Sequence, residues 1–197
     1  MEDVGMTMMM RKTKIIPSGP VSMFKIYWRY FRYLLWHKWC VYKACRRRGL
    51  IWRGITHDMS KFLPSEFISY ARYFHGKWPS RKDVKTNVLH WGGHPDSLTS
   101  EGVREAWEYA FMKHVHRNEH HWQHWLFTNK KGQTKPLRIP VKAYLEMLSD
   151  WDGSGISITG NLDTYEWYTR NRKWIIMTPE MKEITDNNIG VPPEERG

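Results

Sequence analysis

The spacing of apolar positions predicts that the chain is made of helices. Between residues 22 and 49, apolar side chains recur every three or four residues, which is the spacing of one face of an α-helix. Ser22 is a suitable N-cap, and Gly49 follows three arginines that suit the negative end of a helix dipole. We therefore predict one long helix from Ser22 to Gly49.

Capping residues and prolines mark the starts of the later helices. We predict helices that begin at Pro64, Thr99 or Ser100, Pro140, Asn161 and Thr178. Gly153 and Gly155 are expected to end the helix from Pro140, residues 130–136 are expected to form a loop, and a short helical stretch is expected to carry His57 and Asp58. Because no segment shows sustained strand alternation, we predict an all-α fold without repeats.

Length and charge bound the organisation of the chain. The 197 residues suit one compact domain, which we place at residues 21–190 after a flexible basic tail over residues 1–20. Lys and Arg number 31 against 20 Asp and Glu, a net charge of +11. This excess of positive charge favours small anionic partners such as nucleotides, and it is also compatible with binding to nucleic acid. Solubility together with a basic tail would explain the same excess, and a homo-oligomer stays open.

Cysteine usage and hydropathy favour a cytoplasmic protein without a membrane partner. Cys40 and Cys45 have the spacing of neither a redox motif nor a zinc ribbon, so a reducing compartment is expected. The N-terminus lacks an apolar core long enough for a signal peptide. The most apolar region, residues 21–45, carries lysines and arginines at intervals that exclude a membrane span.

Four residues form a candidate metal-ligand set: His37, His57, Asp58 and Asp150. They come from three predicted helices, and a divalent ion needs deprotonated ligands that converge from separate elements. Imidazole and carboxylate together suit Mn, Fe, Co, Ni or Zn rather than calcium. We predict one or two such ions, although His37 on the edge of its apolar stripe would also suit a histidine packed in the core.

A second group of histidines offers further ligands. His114 and His121 are seven residues apart, which places them on one face if the helix continues. His120 or His94 could take the place of either, and the choice stays open. His116 is treated as a spare, and a surface patch of aromatic residues and histidines is the alternative for the whole group.

Basic residues near the candidate ligands are predicted to contact a substrate phosphate. Lys61 lies four residues after His57, on the same face if the helix continues, but it would also suit an exposed lysine. Arg117 is the better candidate, since a guanidinium binds phosphate through two hydrogen bonds. Arg53 is a weaker third, and Asn118 either positions a ligand or caps a helix.

The order of His37, His57-Asp58 and Asp150 resembles the HD superfamily of metal-dependent phosphohydrolases over roughly residues 22–152. The resemblance implies an HD-like helical bundle in which these four residues bind metal, with Asp152 as the alternative to Asp150. It further implies hydrolysis of a nucleotide or similar small phosphate ester by metal-activated water.

In that hydrolysis, Asp58 would act at the catalytic centre while Lys61 and Arg117 stabilise charge. Two-metal members of the superfamily insert further histidines between the doublet and the last aspartate, which His114, His120 and His121 would match.

A narrower resemblance rests on the runs 57–62, 117–122 and 146–151. They look like a small uncharacterised HD-like family of phage and bacterial proteins, which implies the host cytoplasm for a phage-encoded member. Two departures separate the chain from better-known branches: Met59-Ser60-Lys61 lacks the acid that some deoxynucleotidases use, and residues 122–125 lack the Gly-Tyr-Pro of the cyclic-dinucleotide branch.

Two other functions are compatible with the same residues. One is an HD-type dinuclear iron oxygenase, which iron content and O₂ consumption would identify. The other is an accessory protein that binds a nucleotide or nucleic acid through the basic, tryptophan-rich surface. Replacing Asp58 by Ala would leave the effect of such a binding protein intact, whereas a metal enzyme would lose its activity.

Overall fold

A computed structural model describes residues 23–77 and 100–196. Within these ranges the chain forms seven α-helices: α1 (Met23–Arg47), α2 (Ile51–Thr56), α3 (Pro64–His75), α4 (Ser100–Arg117), α5 (Val141–Thr159), α6 (Thr164–Asn171) and α7 (Pro179–Ile189). The prediction of a mostly α-helical fold is confirmed. The predicted tail over residues 1–20, the Ser22 cap, Thr99 and His94 lie outside the described residues.

The predicted helix starts at prolines and capping residues are largely confirmed. α3 begins at Pro64, whose fixed φ suits the first turn and whose missing N–H is not needed there. α7 follows Thr178, whose Oγ1 accepts a hydrogen bond from the backbone N–H of Met181 at 3.2 Å. α5 begins directly after Pro140, and α4 begins at Ser100.

The predictions for the segments around α5 and α6 are wrong in three places. Part of the expected loop forms a hairpin, in which β1 (Leu126–Thr128) pairs antiparallel with β2 (Thr134–Pro136); strands this short show no detectable alternation. α5 continues through both glycines to Thr159 and is capped by Gly160, whose φ of 85° is left-handed. α6 begins after Asp163 rather than at Asn161.

The His57-Asp58 doublet does not lie in a helix. α2 ends at Thr56, and His57 follows it with φ −50° and ψ 131°. Asp58 then adopts a left-handed φ of 54° before a short 3₁₀ turn over Met59–Phe62. The helical spacing expected between His57 and Lys61 is therefore wrong. A positive φ is uncommon in residues other than glycine, although aspartate adopts it more often than most.

The second histidine group also lacks the expected helical continuity. α4 ends at Arg117, and a 3₁₀ turn over Trp122–Trp125 follows after an irregular segment. His114 and His121 therefore do not share a helical face, so the expectation of a common face is wrong.

The described residues divide into two compact units. Unit 1 contains residues 36–57 and 118–196, and unit 2 contains residues 23–35, 58–77 and 100–117. α1 contributes its C-terminal part to unit 1 and its N-terminal part to unit 2. The prediction of a single domain over residues 21–190 stays a prediction.

Unit 1 has an apolar core built around the buried face of α5. Its fully buried members are Ile139, Ala143, Tyr144, Met147, Leu148, Tyr168, Ile175, Met177, Met181 and Val191. α5 packs closely against α1 at Gly153, where a Cβ atom would lie only 2.4 Å from Val41 Cγ2 and 2.8 Å from Val41 Cα. Glycine at this position lets the two helices pack backbone against side chain.

Unit 2 is held together by aromatic packing between α1, α3 and α4. Tyr30 of α1 packs against Phe67 with ring centroids 5.0 Å apart. Tyr73 of α3 stacks on Trp107 of α4 at 4.3 Å with nearly parallel planes. None of the helices within the described ranges combines the length and apolar character needed to cross a bilayer.

Candidate metal centre

The close approach of α1 and α5 in unit 1 brings His37 next to Asp150. His37 lies four residues before Val41 on α1, and Asp150 lies three residues before Gly153 on α5, so each is about one helical turn from the contact. His37 Nε2 and Asp150 Oδ1 are 3.3 Å apart, and both side chains are largely buried. Two residues far apart in the sequence are thus fixed face to face.

His57 joins this pair from the residue that follows α2. Its Nε2 atom lies 3.4 Å from Asp150 Oδ1, and its ring centroid lies 5.7 Å from that of His37. The three residues each offer a ligand atom, and these atoms lie within 4.8 Å of one another. We refer to His37, His57 and Asp150 as the unit 1 set.

Glu146 supports the unit 1 set from the opposite side of the His57 ring. Its Oε1 atom lies 3.1 Å from His57 Nδ1 and 3.3 Å from His120 Nδ1, and its Oε2 atom accepts a hydrogen bond from Arg53 Nη1 at 2.7 Å. Burial raises the pKa of Glu146, but the hydrogen bonds from His120, His57 and Arg53 outweigh it and lower the pKa to about 2. Glu146 is therefore a carboxylate at neutral pH.

Asp150 is ionised for the same kind of reason. Burial raises the pKa of its carboxyl. The hydrogen bonds from His37 and His57 have the larger, opposite effect and leave the pKa well below its usual range. A carboxylate beside two imidazoles is the donor set that a divalent transition metal prefers.

Lys38 holds the backbone that leads into the doublet. Its Nζ atom donates to the carbonyl oxygen of Ile55 at 2.5 Å and to that of His57 at 2.7 Å. These two contacts bind the end of α2 to α1, since Lys38 is the neighbour of His37 in that helix. The position of His57 thus depends on a lysine as well as on packing.

A second group of polar residues is buried in unit 2. His114 Nε2 lies 3.2 Å from Asp58 Oδ1, and His114 Nδ1 lies 2.9 Å from Glu66 Oε2 and 3.0 Å from Ser60 Oγ. Ser60 Oγ donates to Glu66 Oε2 at 2.8 Å. Burial raises the pKa of Glu66, but hydrogen bonds from His114 and Ser60, with the positive charge of Arg117, bring it below its ordinary value.

The three predicted phosphate-binding cations are all paired with carboxylates. Lys61 Nζ lies 2.5 Å from Asp58 Oδ2, and Arg117 donates through Nη1 to Glu66 Oε1. Arg53 bridges Glu146 and Glu119, the latter at 3.0 Å. Arg117 is 48% exposed and Arg53 is 32% exposed, so both guanidinium groups also face solvent.

The remaining predicted residues differ in their surroundings. The ring of His121 lies 4.3 Å from that of His120, whereas His116 is exposed on α4. The backbone carbonyl of Asn118 accepts a hydrogen bond from His121 N. Asp152, the alternative to Asp150, pairs with Arg48 Nη2 at 2.8 Å and accepts from Thr164 at 2.6 Å. The geometry therefore favours Asp150 over Asp152 as a metal ligand.

Sequence reasoning missed Glu146, Glu66 and Lys38. Glu146 precedes Asp150 by four residues, so its helical spacing from a candidate ligand is a signal that could have found it. Glu66 sits in the first turn of α3, where an acid is usually explained by the helix dipole. Its full burial distinguishes it, and burial is not visible in the sequence.

The residues of the unit 1 set fit a divalent metal ion by their chemistry. Two imidazole nitrogens and one carboxylate oxygen converge within 4.8 Å, and a buried carboxylate supports one imidazole from behind. His57, His120 and Glu146 form a second converging group of the same unit. A metal ion bound to these atoms would replace the water that they lose on burial. It would thereby offset the free-energy cost of burying these polar groups.

Comparison with protein families matches residues 26–190 to a family of unknown function, DUF5662. The match covers most of the chain, so the protein belongs to this family. No curated protein and no solved structure matches the chain.

Proposed function

We propose that the protein is a metal-dependent phosphohydrolase that acts on a nucleotide or a similar small phosphate ester. The observation that carries the proposal is the convergence of His37, His57 and Asp150 at a buried position in unit 1. The order of these residues along the chain, with Asp58 directly after His57, matches the ligand order of the HD superfamily.

Each residue has a defined part in the proposal. His37, His57 and Asp150 bind the ion, and Asp58 is the fourth ligand of the sequence pattern. When bound, a divalent ion lowers the pKa of water towards neutrality and polarises a phosphoryl oxygen. The family match neither adds to this assignment nor opposes it, because the family has no known function.

Positive charge supports a phosphate ester as substrate. Arg53 donates to Glu146 through Nη1 and to Glu119 through Nη2, and it remains partly exposed, so its remaining N–H groups can contact a phosphate oxygen. Arg117 is anchored by Glu66 in unit 2 and is nearly half exposed, and Lys61 is held by Asp58. The net charge of +11 favours the approach of an anion.

A reconstitution experiment tests the proposal. Metal-stripped protein is loaded in turn with Mn, Fe, Co, Ni and Zn, and phosphate release is measured over nucleoside mono-, di- and triphosphates and cyclic nucleotides. We expect release with at least one ion and a loss of at least about 100-fold in the variant His37→Gln, because losing a ligand should cost no less than losing an outer-shell partner. The exposed His116 provides the matched control, since His116→Gln should keep the activity.

The outcomes separate the candidate functions. Absence of phosphate release with every ion would contradict the proposal. Consumption of O₂ by the iron-loaded protein, without phosphate release, would instead identify the oxygenase function.

A further inference from the structure

A carboxylate paired with an arginine lies behind a buried histidine in unit 1. Arg53 Nη1 donates to Glu146 Oε2 at 2.7 Å, Glu146 Oε1 lies 3.1 Å from His57 Nδ1, and His57 Nε2 lies 3.4 Å from Asp150 Oδ1. We call this arrangement an Arg–Glu–His–Asp chain. His57, Glu146 and Asp150 are each largely buried.

Unit 2 contains a second Arg–Glu–His–Asp chain with the same atoms in the same order. Arg117 Nη1 donates to Glu66 Oε1, Glu66 Oε2 lies 2.9 Å from His114 Nδ1, and His114 Nε2 lies 3.2 Å from Asp58 Oδ1. In unit 1 the glutamate and aspartate share α5, whereas in unit 2 Glu66 is on α3 and Asp58 precedes a 3₁₀ turn. The repetition is therefore one of chemistry and not of sequence.

The glutamate keeps one particular ring nitrogen protonated. An ionised carboxylate can only accept hydrogen bonds, so Nδ1, which faces the glutamate, must be a donor. Asp150 and Asp58 face Nε2 in the same way, so the metal-free ring can carry a second proton there, and a bound ion would take the place of that proton. The glutamate therefore has a measurable effect, which is the presence of a proton on Nδ1.

We propose that Glu146 and Glu66 are positioning residues that keep Nδ1 of His57 and His114 protonated and thereby leave Nε2 as the atom directed towards Asp150 and Asp58. Glu146 does the same for His120, whose Nδ1 lies 3.3 Å from the same oxygen. The proton on Nδ1 follows from the contacts with the glutamates alone, whereas the use of Nε2 as a metal ligand rests on the proposed function.

The substitution Glu146→Gln makes a specific prediction because an amide has only one accepting atom. Arg53 cannot accept a hydrogen bond, so the amide oxygen must face Arg53 and the amide NH₂ must face His57. His57 Nδ1 then becomes the acceptor, and the ring proton is on Nε2. The matched control is Glu119→Gln, which removes the other, half-exposed carboxylate bound to Arg53.

The test is a long-range ¹H–¹⁵N correlation spectrum of metal-free protein labelled with ¹⁵N-histidine, at neutral pH. We expect Nδ1–H signals for His57 and His114 in the wild type, a change to Nε2–H for His57 in Glu146→Gln, and the wild-type pattern in Glu119→Gln. Glu66→Gln should change His114 in the same way. Metal affinity, measured by titration calorimetry with Zn or Mn, should fall about 10- to 100-fold in Glu146→Gln.

The wild-type spectrum alone can overturn the inference, even if a variant fails to fold. An Nε2–H tautomer for His57 or His114 in the wild type would do so, and so would an unchanged His57 tautomer in folded Glu146→Gln. The predicted Nδ1–H signals without any metal binding would support the positioning role and contradict the proposed function. Metal binding with Nε2–H histidines would contradict the positioning role alone.

Discussion

Glu146 and Asp150 stand one turn apart on α5 and contact opposite nitrogens of the same imidazole. Glu146 Oε1 lies 3.1 Å from His57 Nδ1, and Asp150 Oδ1 lies 3.4 Å from His57 Nε2. A four-residue step places both carboxylates on one helical face, and the ring of His57 lies between them. α5 therefore supplies both the candidate metal ligand Asp150 and Glu146, the residue that orients the candidate ligand His57.

Asp150 should be required for metal binding, and Asp152 should not. We expect Asp150→Asn to lower the affinity for Zn or Mn by at least about 100-fold, the upper end of the cost of losing an outer-shell partner, because it removes the charged oxygen that faces His37 and His57. Asp152→Asn is the matched control, since Asp152 pairs with Arg48 and Thr164 instead. Titration calorimetry on both variants measures the difference.

Equal metal affinities for the two variants would contradict this assignment. Circular dichroism of each variant establishes whether the fold is retained, which separates loss of a ligand from loss of structure.

Gly153 should be needed both for stability and for the site. An added Cβ would lie 2.4 Å from Val41 Cγ2 and 2.7 Å from Val41 N, so α1 and α5 must move apart in Gly153→Ala. Alanine gains about 1 kcal/mol from its helix propensity. Overpacking costs about 1–3 kcal/mol, and backbone contact favours the upper end. We expect net destabilisation of about 1–2 kcal/mol in urea unfolding.

The same substitution should weaken metal binding, because His37 and Asp150 each lie about one turn from the Val41–Gly153 contact. Lys142→Ala, at an exposed position of the same helix, should change neither property. A stable Gly153→Ala variant with wild-type metal affinity would show that the close approach does not position the ligands.

Asp186 should make folding stability depend on pH. Burial raises its pKa, but hydrogen bonds from Arg172 and Tyr168 and the charge of Arg172 leave the pKa below the ordinary value of 3.8. A depressed pKa means that the carboxylate stabilises the fold above the ordinary pKa, and that this contribution is lost as the pH falls through the folded-state value.

We therefore expect Asp186→Asn to lower the free energy of unfolding by about 2 kcal/mol at pH 7, because the partly buried guanidinium of Arg172 loses its carboxylate partner. The difference in the free energy of unfolding between Asp186→Asn and the wild type should become smaller below about pH 4. Glu180→Gln, at a 60% exposed residue, should cost less than about 0.5 kcal/mol. A difference for Asp186→Asn that stays constant from pH 7 to pH 3 would contradict this account.

Local sequence signals predicted the helices that have clear starts. Pro64 and Thr178 act through backbone geometry and a single side-chain hydrogen bond, and both effects are local. The three- and four-residue spacing of α1 likewise predicts a helix without knowledge of its partners. These elements could therefore be predicted from the sequence.

Tertiary contacts determined what the sequence could not predict. Gly153 looks like a helix terminator, yet it continues α5 because Val41 occupies the space that a side chain would need. The left-handed Asp58 interrupts the expected helix at the doublet, where Lys38 binds the carbonyl of His57. Glu146 could not be identified from the sequence because its partners His57 and Arg53 are 89 and 93 residues away along the chain.

Anomalous diffraction from crystals soaked with Zn or Mn tests the central claim most directly. The account predicts an anomalous difference peak in contact with His37 Nε2, His57 Nε2 and an oxygen of Asp150, and loss of that peak in Asp150→Asn but not in Asp152→Asn. Absence of a peak at these atoms with any of the five candidate metals, in crystals of folded wild-type protein, would contradict it.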